Sequence, residues 1–191
     1  MQQVLRSYEM TEPAWIGEVL RFWFDEVGPT AWFKADPALD ERIRRRYGQR
    51  HADLAAHASP ALMASPTEAL ATIIVLDQFS RNIHRGTPSA FTSDPLALAI
   101  AQAAVDAGFD QSLDLYQRVF LYMPFEHSED RAVQVRSVKL FRSLDDSYFL
   151  KYAQEHYDII EQFGRFPHRN RILDRTSTAE ELRFLKDHPG F

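Results

Sequence analysis

The sequence predicts an all-α protein, an antiparallel array of helical hairpins with about eight helices. Three observations carry that prediction. Apolar residues recur at three- and four-residue steps in segment after segment, while alternating strand patterns are nearly absent. Ser, Thr or Asp stands where several of these segments begin, and glycine or proline where several end. The connections are short, so successive helices tend to pack antiparallel.

Trp15, Ile16, Val19, Leu20, Trp23 and Val27 form one apolar stripe, stopped by Gly28 and Pro29. Asp36-Pro37 reads as an N-cap followed by proline at the first helical position, with Leu39, Ile43 and Tyr47 on one face behind it. Ser65-Pro66-Thr67-Glu68 combines a capping box with the same proline signal. The helix it opens carries Leu70, Ile73, Ile74, Leu76 and Phe79, apolar over most of its circumference, which places it at the centre. Asp94-Pro95 repeats the start signal, and Gly108 closes that helix. Leu113 to Met123 reads as a helix ended by Pro124. Ser128 is the expected cap of the next, with Glu129 and Asp130 in its first turn. A further helix runs from about Ser147 to Gly164, carrying His156 on its apolar face. Ser177-Thr178-Ala179-Glu180 is read as a capping box for a short last helix with Leu182 and Leu185.

The 191 residues suit a single domain spanning 1–191, with no linker, low-complexity segment or clean internal repeat. A formal net charge of -5 argues against a general nucleic-acid partner. The absence of cysteine excludes disulfides, thiolate metal sites and a cysteine nucleophile. The opening MQQVLRSYEM has no apolar run of signal-peptide length, and no segment has the length of a membrane span, so a cytoplasmic protein is expected. No phosphate-cradling glycine loop and no Gly-x-Ser-x-Gly elbow is present. No cofactor and no metal are expected.

Three polar clusters ask for an explanation. In DQFSRNIHRG, Asp77 interrupts the most apolar helix and Arg81 lies one turn on, so the two can pair. The same segment offers Asn82 and Arg85, and the guanidinium fork suits carboxylate or phosphate. In PFEHSED, Glu126 and His127 sit with further acids at a helix start, a pattern that suits cap chemistry and is a weak metal signal. In FGRFPHRN, Gly164, Phe166 and Pro167 have a structural account as the end of a helix. Arg165, His168, Arg169 and Asn170 are not required by that account. They either pair with the acids of the second cluster or line an anion-binding pocket.

The segments VLDQFSRNIHRGTPSAFTSDPLAL, FLYMPFEHSED and HYDIIEQFGRFPHRNRIL together resemble the bacterial domain-of-unknown-function family nine hundred twenty-four, and the resemblance covers nearly the whole chain. It implies a tetratricopeptide-like superhelical fold and no particular activity. Ser80 stands where the family pattern has proline, which leaves the end of that helix open. Two functions from different classes follow. One is a binding module accepting a small anionic ligand or peptide in a groove of the helical array. The other is a hydrolase-like or metal-assisted enzyme using Glu126, His127 and Glu129. A third possibility is that the clusters only specify the fold.

Overall fold

The computed structural model describes residues 12–188; the first eleven and the last three residues lie outside them. Among the described residues the regular structure is entirely helical. Helix α1 (Ala14–Arg21) runs without interruption into a wider π turn (Phe22–Val27). It ends at Gly28, whose φ of +70° requires the freedom of glycine. Helix α2 (Pro37–His57) starts at Asp36, whose side chain accepts from the Ala38 N–H at 2.9 Å, as the Asp-Pro pair predicts.

The central rod is α3 (Pro66–Ile73), a second π turn (Ile74–Phe79) and α4 (Ser80–Ile83) in one continuous run. Every residue from 69 to 80 is buried, because α1, α2 and the next two helices of the chain all pack against this rod. With serine at position 80, no helix break occurs there and the rod continues to Ile83. Ser65 caps it through the Glu68 N–H, but Glu68 reaches back to the Ala64 N–H, so only half of a standard capping box forms.

The remaining helices are α5 (Asp94–Asp106), α6 (Leu115–Glu126), α7 (Arg131–Arg142), α8 (Ser147–Phe163) and α9 (Ala179–Asp187). From α5 to α8 each packs on the one before it, which is the expected hairpin array. Phe22, Trp23, Tyr47, Phe79 and Phe120 form an aromatic web in the core, with ring centroids 4.8–5.8 Å apart. A smaller apolar cluster of Ile159, Ile160 and Phe166 holds α9 through Phe163 and Phe184. Among the described residues no helix is long and apolar enough to cross a membrane.

Four expectations are corrected. Pro124 lies inside α6, which continues to Glu126, because burial of every residue from Val119 to Glu126 outweighs the one backbone hydrogen bond that proline forfeits. That helix starts at a capping box between Asp114 and Gln117, two residues later than the apolar pattern suggested. The cap of α7 is Asp130, accepting from Ala132 and Val133, with Glu129 pointing elsewhere. The box of α9 is Thr178 with Glu181, one residue beyond the predicted pair.

Candidate functional site

Asp77 stands in the π turn of the central rod with no exposed surface. An aspartate at such a place is expensive unless its charge is matched. Arg81, one turn on, donates from Nη1 to the Asp77 Oδ1 at 3.1 Å and to its backbone oxygen at 2.7 Å. The Gln78 amide donates to the Asp77 Oδ2. His127, at the end of α6, brings Nδ1 to 2.8 Å from the Asp77 Oδ1. Burial pushes the Asp77 carboxyl up, but Arg81 and His127 together outweigh it and hold it well below the usual range.

The predicted Asp77–Arg81 pair therefore forms, and Arg81 also reaches across to α5. Its Nη1 and Nη2 make a two-pronged contact with Asp94 at 3.0 Å each. The N-cap of α5 is Ser93, not Asp94 as the Asp-Pro pair predicts; Asp94 is the first residue inside the helix, so the start signal hid a site residue. Burial raises the Asp94 carboxyl and wins over the neighbouring Arg81, the opposite outcome to Asp77. Asp94 has fewer partners than Asp77, and the buried charge of Asp77 repels it.

Beyond Asp94 comes Arg169, from the short turn Pro167–Arg169 that follows α8. Its guanidinium lies between two phenyl rings, 4.8 Å from the Phe91 centroid and 4.5 Å from that of Phe166. The nearest carboxylate oxygen, Asp94 Oδ2, is 3.9 Å from Nη1, too far for a hydrogen bond. Burial and then the adjacent Arg81 push Arg169 down to about 10. His168, beside it, is pushed down to about 4 by burial, then by Arg169 and His156. His156 Nδ1 faces two acceptors, the Glu126 Oε1 at 2.9 Å and the Tyr152 backbone oxygen at 2.9 Å. The His156 ring is 6.4 Å from that of His127 and 5.5 Å from that of Phe166. Arg81, Glu126, His127, His168 and Arg169, distant in sequence, thus belong to one continuous polar centre.

The other singled-out residues lie elsewhere. Arg85 and Asn82 both serve Asp40 of α2: Arg85 at 2.6 and 2.8 Å, Asn82 at 2.8 Å. These donors outweigh burial and hold the Asp40 carboxyl low. Arg165 clasps Glu181 of α9 at 2.6 and 2.9 Å and brings that carboxyl down to about 2. Asn170 donates to the Ser177 Oγ at 3.0 Å. The acid of the second cluster that meets the last segment is Glu129. It accepts from the Phe166 N–H at 2.8 Å and from both prongs of Arg175, at 2.8 and 3.0 Å. Arg175, Asp94 and Gln78 are not legible as site residues: Asp94 reads as a helix start, Gln78 as a neighbour of Asp77, and no local motif marks Arg175.

An open depression of about 630 Å³ adjoins this region, lined by His168, Arg171, Arg175, Ser177, Leu182 and Leu185 among others. No group of three or more His, Asp or Glu among the described residues has metal-holding geometry. What the centre offers is a fixed guanidinium and an imidazole aimed by a buried carboxylate.

No curated protein matches the chain. A solved structure of a protein of unknown function from Agrobacterium tumefaciens is similar at 39% sequence identity and a TM-score of 0.86, over 92% of this chain and 98% of that one. The sequence pattern described as "Bacterial protein of unknown function (DUF924)" matches residues 19–189. The chain therefore belongs to the DUF924 family.

Proposed function

We propose that the protein is a binding module for a small molecule bearing a carboxylate or phosphate, and that Arg169 receives that group. One observation carries this reading: Arg169 is a buried guanidinium with donors to spare. Its side chain is only 8% exposed, and no described residue accepts a hydrogen bond from it. Nε is sealed from solvent without a partner, whereas the two Nη groups are not sealed. Each unmatched buried donor costs about 1–3 kcal/mol, so such groups are rare where a residue is purely structural. A carboxylate or phosphate would supply the missing acceptors in the geometry that the guanidinium fork fits best. Phe91 and Phe166 fix the guanidinium plane beforehand, which lowers the ordering cost of binding.

Calorimetric titration of the full chain with a panel of small carboxylates and phosphates tests this. Saturable binding of at least one member is expected. Arg169→Gln should weaken it by about tenfold or more, the worth of one or two charge-assisted hydrogen bonds. Unchanged affinity in a folded Arg169→Gln protein, or no binding across the panel, would leave the centre a structural lock and sink the proposal.

A further inference from the structure

His127 has the arrangement of an aimed base. Its Nδ1 faces the Asp77 Oδ1 at 2.8 Å, and that carboxylate is itself immobilised by Arg81 and Gln78. The ring therefore cannot swing without breaking a buried contact. Nε2, on the far side of the ring, has no hydrogen-bond partner among the described residues and is not sealed from solvent. A histidine recruited only to satisfy Asp77 has no need of an open second nitrogen.

His127 and Arg169 are ends of the same centre. One line of contacts joins them through Asp77, Arg81 and Asp94; a second runs through His156 and Phe166. Resting on the anion-binding reading, we propose that the bound anion is a substrate and that His127 is the general base of its hydrolysis, with Asp77 as the positioning residue. The substrate class is a carboxylic ester that carries one free carboxylate. The centre sets Asp77 and Asp94 against Arg81 and Arg169, so a single carboxylate at Arg169 with an uncharged ester near His127 adds less repulsion than a doubly charged group, such as a phosphate dianion, would.

The nucleophile is water, since no hydroxyl among the described residues hydrogen-bonds to His127 and the chain has no cysteine. In the step, the water oxygen bonds to the ester carbonyl carbon and its proton passes to Nε2. The carbon–oxygen bond to the alcohol then breaks, and the proton on Nε2 goes to the departing oxygen. Water and ester become acid and alcohol, and His127 returns to its starting state. Burial, and then Arg81, keep His127 below the ordinary imidazole value, so the ring is neutral and able to accept at pH 7. The charged and titratable groups facing it are Asp77 and Arg81 of the central rod, Asp94 of α5, His156 of α8 and His168 of the following turn.

The experiment follows release of nitrophenol from para-nitrophenyl hydrogen succinate by the full chain, with succinate binding measured in parallel by calorimetry. Turnover above buffer is expected. His127→Gln should lower kcat by about a hundredfold or more, with succinate affinity held. Arg169→Gln should act mainly on KM. In the native protein kcat/KM should be flat at neutral pH and fall on acidification through a single pKa below 6.5, a profile that needs no variant to fold. Asp77→Asn should change that profile as well as the rate, which a merely structural aspartate would not do. Succinate binding without turnover, or equal turnover in a folded His127→Gln protein, overturns the catalytic role and leaves anion binding standing. Loss of both binding and turnover overturns both.

Discussion

Two buried aspartates organise polar regions on the central rod, and they end differently. Asp40 meets Asn82 and Arg85, and the account closes: carboxylate, amide and guanidinium are matched within 2.8 Å. Asp77 meets Arg81, Gln78 and His127, and the account stays open. Arg81 goes on to Asp94, Asp94 stands 3.9 Å from Arg169, beyond hydrogen-bond reach, and one nitrogen of His127 faces away. Both regions use the same residue types, so charge content does not distinguish them. The difference lies in what remains unmatched. A polar network that closes on itself specifies a packing, whereas one that leaves an oriented donor at reduced exposure has capacity for a ligand.

The sharpest way to break this comparison is at the aspartates themselves. Asp77→Ala leaves Arg81 and His127 facing a void, and removal of one partner from a buried charge pair costs about 3–5 kcal/mol. Asp40→Ala faces a partner, Arg85, that is nearly half exposed and can turn to water, so its cost should be clearly smaller. Urea denaturation of the two variants measures the gap, and equal losses would erase the distinction between the regions.

A second test concerns Arg169. Because its guanidinium has no hydrogen-bond acceptor to lose, Arg169→Met should change stability by no more than about 1 kcal/mol in either direction, while abolishing anion binding. Thermal melts beside calorimetry would check this. A large loss of stability would mean that Arg169 belongs with the closed networks.

The smallest effect is expected at the clasp between Arg165 and Glu181. Since Arg165 lowers Glu181 to about 2, the carboxylate contributes stability that is complete above its unfolded value of 4.5 and is lost as pH falls towards 2. Hydrogen exchange in α9 should rise over that acid window, and Glu181→Gln should show the faster exchange already at neutral pH. Protection of α9 that ignores both changes would mean that the Phe163–Phe184 contact alone holds it.

Local signals carried most of the helical plan. Asp36 and Gly164 cap as the pattern predicts, and the most apolar segment is the central rod. The errors fall where a tertiary demand overrode a local one: Pro124 is carried through a buried helix, and Asp94, read as a cap, stands inside α5 and holds Arg81. Of the arginines singled out, Arg81, Arg85 and Arg165 are consumed by carboxylates and Arg169 is not, yet nothing in their neighbours announces that difference.

The sequence by itself determined which segments are helical, which faces are apolar and that Asp77 can pair with Arg81, because those interactions span no more than about four residues and follow the helical period. Only the tertiary structure decided which polar groups close on each other and which stay open. His127 is 50 residues from Asp77, Arg175 is 46 from Glu129 and Arg85 is 45 from Asp40. Partners that far apart are chosen by how the helices pack, and no spacing along the chain records that choice.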